Sequence, residues 1–226
     1  MKIPIEVSAR HIHIKKSDLE KLFGVGYKLH KLKELSQKGN FSSKETVELI
    51  SLEDEKRKIS NVRIVGPCRN YTQIELSLTD AYHLKIKPPI RKSGDLDKTP
   101  GIKIIGPKGE LILKKGVIIP KRHIHISDDL AKKIGLREND VVKVKVKGER
   151  GLIFENVAIR IDKNYSLAMH IDTDEGNAAG IDKVGEGELI LNKINLKSQI
   201  SKVKSTSQKS KVNEIKSKLY LKRFEI

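Results

Sequence analysis

Two copies of the same five residues, Arg10-His11-Ile12-His13-Ile14 and Arg122-His123-Ile124-His125-Ile126, carry four of the seven histidines in this chain. In an extended strand, residues i and i+2 share a face. His11 and His13 therefore project side by side while Ile12 points to the opposite face, and His123 and His125 do the same around Ile124. Two imidazoles on one strand face supply two ligands of a Zn²⁺ ion, at Zn–N distances of about 2.0–2.1 Å. One such triplet is equally an ordinary strand with two half-exposed histidines. Its duplication shifts the balance to metal binding.

A third ligand for each pair is sought in apolar strands further along. Gln73-Ile74-Glu75-Leu76 offers Glu75, and Leu167-Ala168-Met169-His170-Ile171 offers His170. The competing readings are a salt bridge to a neighbouring cation for Glu75 and a hydrogen-bonded core histidine for His170. A second internal echo bears on the choice: Asn70-Tyr71-Thr72 with Thr79-Asp80 matches Asn164-Tyr165-Ser166 with Thr173-Asp174 at a constant offset. Read without a gap, that echo sets Glu75 opposite Met169, so the two ligands fall one residue out of register. His30 and His83 have no comparable context. The single cysteine, Cys68, excludes an internal disulfide framework, fits a reducing cytoplasm and reads as a bystander thiol rather than a nucleophile.

The elements that must position these residues are short. Ser17 to Gly24 and Ser127 to Gly135 each follow a His-Ile-His copy and read as capped helices of about two turns. Val141 to Lys147 alternates Val and Lys with period two, turns at Gly148-Glu149-Arg150-Gly151 and resumes at Leu152. Ile102–Ile105 and Glu110–Leu113 form another hairpin. The expected fold is mainly β with short α-helices: two related β-barrel domains with the metal site between them. Residues 1–95 form the first half and 96–192 the second, with exchange of strands between them allowed. The Pro- and Gly-containing stretch from Lys87 to Pro100 is either a boundary or an ordered site loop. Residues 193–226 form a basic tail, holding ten Lys or Arg against two Glu. Within it, 197–211 reads as a solvated linker, and Val212, Ile215 and Leu219 follow the spacing of a short amphipathic helix.

The formal charge of +17 attracts polyanions, whether nucleic acid, a membrane surface or a phosphate-rich cofactor. Nucleic-acid binding would interleave aromatics with the basic residues for stacking, and aromatics make up only 4% of the chain. No stretch approaches the roughly 18–20 apolar residues of a membrane span. The N-terminal residues lack the apolar core of a secretory signal. These features point to a cytoplasmic protein.

The paired Arg-His-Ile-His-Ile motifs stand in order with Gly66-Pro67-Cys68-Arg69, Gln73-Ile74-Glu75-Leu76-Ser77, Arg91-Lys92-Ser93-Gly94-Asp95 and Met169-His170-Ile171-Asp172-Thr173-Asp174-Glu175. Together they resemble the PduL-type family of phosphate propanoyltransferases, from Ile3 to about Leu191. The resemblance implies two linked β-barrel domains with two zinc ions between them. His11, His13 and Glu75 would hold one zinc, with coenzyme A sulfur as its remaining ligand. His123, His125 and His170 would hold the other, completed by water or phosphate. Arg69 and Ser93 match phosphate-contacting positions, Arg69 with a catalytic role. The implied reaction exchanges a propanoyl or acetyl group between coenzyme A and inorganic phosphate. The implied partners are shell or partner enzymes of a bacterial microcompartment and further copies of the chain. The compartment-targeting extension usual in the family has no counterpart before Ile3.

Two other readings use the same residues. One is a different two-zinc enzyme, such as a hydrolase, which composition alone does not separate from a transferase. The other is a basic β-barrel module that binds polyanions and holds zinc structurally. Structural zinc sites are closed and often rich in cysteine. One cysteine and three protein ligands per ion favour an open, catalytic site.

Overall fold

The computed structural model describes residues 1–191, so the expected linker and tail helix lie outside the described residues. The elements in chain order are β1 (Lys2–Ser8), β2 (His11–His13), α1 (Lys16–Phe23), β3 (Lys31–Glu34), β4 (Phe41–Ile50), β5 (Lys58–Gly66) and β6 (Gln73–Glu75). Next come α2 (Leu78–His83), β7 (Ile90–Arg91), β8 (Ile102–Ile105), β9 (Glu110–Leu113) and β10 (Val117–Pro120). The last are β11 (His123–Ile126), α3 (Asp128–Ile134), β12 (Val141–Val146), β13 (Leu152–Ile161), β14 (Ala168–Asp172), α4 (Thr173–Ala179) and β15 (Val184–Ile190). The protein is mainly β with short helices, as expected.

The strands form two bodies. One is a closed six-stranded barrel in the order β1-β14-β11-β13-β12-β15. The other is a curled sheet in the order β7-β10-β6-β2-β5-β4-β8-β9, with β3 paired to β4. The barrel takes its first strand from the start of the chain: β1 runs parallel to β14 and antiparallel to β15. Each body has its own core. Ile12, Ile64, Ile74 and Leu22 lie in the sheet's core, and Ile5, Ile124, Ile159 and Met169 in the barrel's. Period-two patterning drives the burial. In β12, Val142, Val144 and Val146 face the core while the residues between them face outward. Among the described residues, no helix is long and apolar enough to cross a membrane.

The second expected helix is capped as its sequence suggests. Ser127 accepts from the Leu130 amide, and Gly135 closes α3 in the left-handed conformation that glycine adopts without strain. The first differs. Its cap residue is Lys15, which makes no side-chain capping bond, and Ser17 lies inside the helix. A tertiary partner takes over: Thr72 Oγ1 accepts from the Lys15 amide at 3.0 Å and donates to Asp18 Oδ2 at 2.7 Å.

Candidate active site

Strand pairing brings the third side chain of each set to the histidines. In the sheet, β2 and β6 run antiparallel with His11 opposite Glu75 and His13 opposite Gln73. In the barrel, β11 and β14 run antiparallel with His123 opposite His170 and His125 opposite Ala168. Glu75 and His170 thus hold equivalent places, each across from the first histidine of its triplet. The one-residue mismatch of the ungapped echo is a gap in the sequence, not in the fold. The same correction applies to the helices. The N3 residue of the capping box is Asp80 in α2 and Glu175 in α4, so Asp80 corresponds to Glu175 and not to Asp174.

His11, His13 and Glu75 each place a ligand atom within 4.8 Å of the others. His11 Nε2 lies 3.2 Å from His13 Nε2 and 3.5 Å from Glu75 Oε2. In the second set the ring centroids of His123 and His125 are 4.6 Å apart, those of His125 and His170 4.7 Å, and those of His123 and His170 5.3 Å. The two sets share a local device. His11 Nδ1 donates to the Ala9 carbonyl and His123 Nδ1 to the Lys121 carbonyl, each at 2.9 Å. A carbonyl only accepts, so both Nδ1 atoms carry a proton, and in the neutral ring this leaves the lone pair on Nε2.

Burial disfavours the charged form of His13, His123, His125 and His170. It pushes the His123 imidazole down to about 3, with His170 adding to the effect, and His125 down to about 2, with His123 adding to it. His13 is driven far below the usual histidine range by burial, then by His11 and Arg69. Burial also lowers His170, against the pull of Glu6 and Glu75. Both nitrogens of His125 and Nδ1 of His13 are buried with no hydrogen-bond partner among the described residues. Buried polar atoms are rarely left so. Neutral imidazoles with free lone pairs, one set joined by a carboxylate, make a donor set that fits a divalent ion such as zinc.

A cavity of about 450 Å³ lies between the sheet and the barrel and is lined by both sets together with Arg69 and Ser93. Arg69 Nη1 donates to Ser93 Oγ at 3.2 Å and to the Tyr71 hydroxyl at 3.3 Å. The Lys87–Pro100 stretch contains β7 and brings Ser93 to the cavity. Residues outside the expected set also reach it. Gln37 Nε2 lies 3.4 Å from His170 Nε2 and donates to the Ser166 carbonyl, bridging the two bodies. Glu6 sits 3.7 Å from His170 Nδ1 and accepts from Ser36. Arg160 lies opposite His125 across β11 and β13. Gln37 carries no local signal in the sequence; Arg160 could have been found from strand alternation alone. His30 instead pairs with Glu45, and His83 with the Lys58 carbonyl. Cys68 packs against the sheet's core, and burial raises its thiol.

The cavity between barrel and curled sheet, lined by histidines, Glu75 and arginines, has the donor set of an open site and not of a closed, cysteine-rich one. The phosphate propanoyltransferase family profile matches residues 4–182. A phosphate propanoyltransferase of Thermotoga maritima is 51% identical over 178 residues, covering 78% of this chain and 83% of that protein. Another, of Lachnoclostridium phytofermentans, is 48% identical over 179 residues, covering 79% and 83%. A third, of Rhodopseudomonas palustris, is 44% identical over 176 residues, covering 78% and 76%. The chain belongs to the phosphate propanoyltransferase family, a family of acyltransferases.

Proposed function

We propose that this enzyme interconverts propanoyl-CoA plus phosphate with propanoyl phosphate plus CoA, and takes acetyl-CoA as a second acyl donor. The residues proposed to hold two zinc ions are His11, His13 and Glu75 for one and His123, His125 and His170 for the other. The observation that carries this reading is that both sets open, with Arg69 and Ser93, onto one cavity between sheet and barrel.

The reaction joins a phosphate oxygen to the thioester carbonyl carbon and breaks the carbon–sulfur bond, so CoA leaves as a thiolate. Bound zinc would supply Lewis-acid stabilisation of negative charge at the reacting atoms. The chain's own residues divide the rest of the work. Glu75 gives the first set one negative charge, which suits it to the thiolate, a monoanion. The second set is neutral and has Arg160 beside it, which suits it to the more highly charged phosphate. Arg69 presents a planar donor fork to phosphate oxygens, and Ser93 is held against it. Holding both anions in one cavity removes much of the entropic barrier to their encounter.

The test is a coupled assay with propanoyl-CoA, acetyl-CoA and phosphate, with zinc measured on the same sample. About two zinc ions per chain and phosphate-dependent release of CoA are expected. Release of CoA without phosphate would make the protein a hydrolase, and full turnover in a metal-free sample would remove zinc from the reading.

A further inference from the structure

Gln73 is fully buried and has every polar group of its side chain engaged. Its Nε2 donates to Glu75 Oε1 at 2.6 Å and to Ser93 Oγ at 2.8 Å, and its Oε1 accepts from the Gly94 amide at 2.7 Å. The Gly94 N–H can only donate and an ionised Glu75 can only accept, so the orientation of the amide is fixed. The pairing of β2 with β6 places Gln73 opposite His13 and two residues from Glu75, on the face that looks into the cavity.

A second consequence follows at Ser93. Its hydroxyl oxygen accepts from Arg69 Nη1 and from Gln73 Nε2, and neither of these groups can accept in return. The single O–H of Ser93 is therefore left to donate elsewhere. Ser93 lines the cavity, where an anionic oxygen is the fitting acceptor.

We propose that Gln73 is a positioning residue that joins the Glu75 carboxylate to the Ser93 hydroxyl, orienting one toward a metal and the proton of the other toward a phosphate oxygen. One buried amide thus links the cation end of the cavity to its anion end. The Gly94 bond adds a backbone anchor, so the Ser93 loop cannot shift without loosening Gln73 and, through it, Glu75. This role rests on the two-metal reading above.

The test uses the full chain in five forms: wild type, Gln73→Glu, Gln73→Met, Ser93→Ala, and Gln73→Met with Ser93→Ala. Gln73→Glu keeps the volume and the acceptor for Gly94 while replacing both donors. Its new carboxylate faces Glu75 and captures the Ser93 proton. Zinc affinity is read by competition with a chelator, and the phosphate KM at saturating propanoyl-CoA. Both single Gln73 variants should weaken zinc by about tenfold or more and raise the phosphate KM by a similar factor, as supporting partners of ligands do. In the Ser93→Ala background, Gln73→Met should raise the phosphate KM less than about twofold further, because the two act as one unit. If one variant does not unfold cooperatively on heating, the other decides. Wild-type protein that binds no zinc overturns the two-metal reading itself. Wild-type zinc binding with unchanged affinity in the folded Gln73 variants, or KM effects that multiply in full with Ser93→Ala, overturns the role of Gln73 alone.

Discussion

Arg10 Nε lies 2.9 Å from Asp80 Oδ1, tying the residue before the first His-Ile-His triplet to the capping box of α2. The barrel repeats the bond: Arg122 Nε lies 2.6 Å from Glu175 Oε1, in the capping box of α4. In each body the strand that carries Glu75 or His170 leads directly into that helix, β6 into α2 and β14 into α4. The arginine of each motif therefore ties the histidine strand to the helix that follows Glu75 or His170.

The exchange of Arg10 for Ala would leave the buried Asp80 carboxylate with only its capping partners. Loss of a hydrogen bond to a charged, buried group costs about 1.5–3 kcal/mol. Arg10→Ala should therefore lower unfolding free energy by roughly that amount, and Asp80→Asn should cost little more in its background. Urea unfolding of the four forms of this cycle checks both points. Independent, additive losses would show that Arg10 acts elsewhere.

Much of the fold could be read from the chain because it is written locally. The Val–Lys alternation of β12 and the two histidine triplets need only period two to be placed on a face. What could not be read depends on partners distant in sequence. Lys15 caps α1 without a capping side chain because Thr72 supplies the bond. The equivalence of Glu75 and His170 was hidden by one residue of extra loop, which only the strand register reveals. Gln37 reaches His170 across the cavity, and nothing in its neighbourhood of the chain announces that contact.

His125 has both ring nitrogens buried without a partner among the described residues and stacks on Tyr165 at 4.0 Å. His125→Ala should remove about one zinc per chain and reduce turnover by at least about a hundredfold, on the scale at which lost orientation disables a site. Elemental analysis and the coupled assay check this together. Retention of the full zinc content would place the ion on other side chains.

Glu45 supplies a pH dependence away from the cavity. Burial alone would raise its carboxyl, but the His30 ring and backbone amides outweigh that and hold it below its ordinary 4.5. The Tyr27 hydroxyl and the His30 ring donate to it at 3.1 and 2.8 Å. A carboxylate depressed in the folded state contributes stability that is present above 4.5 and lost as pH falls through the folded value. Glu45→Gln should therefore melt below wild type at pH 7, and the gap should narrow as pH falls below 4.5. Thermal melts across that range check it; a gap that does not change with pH would tie the loss to packing.

Arg69 holds two hydroxyls with one guanidinium nitrogen, Ser93 at 3.2 Å and Tyr71 at 3.3 Å. Among the described residues its remaining donors have no further hydrogen-bond partner, and they lie in a cavity suited to an anion. Lysine at this position keeps the charge but offers a single ammonium group that cannot hold Ser93 and grip two phosphate oxygens together. Arg69→Lys should raise the phosphate KM about tenfold, equivalent to about 1.4 kcal/mol of binding, and leave the KM for propanoyl-CoA within about twofold. If instead the KM for propanoyl-CoA rises while that for phosphate holds, Arg69 serves the coenzyme end of the cavity.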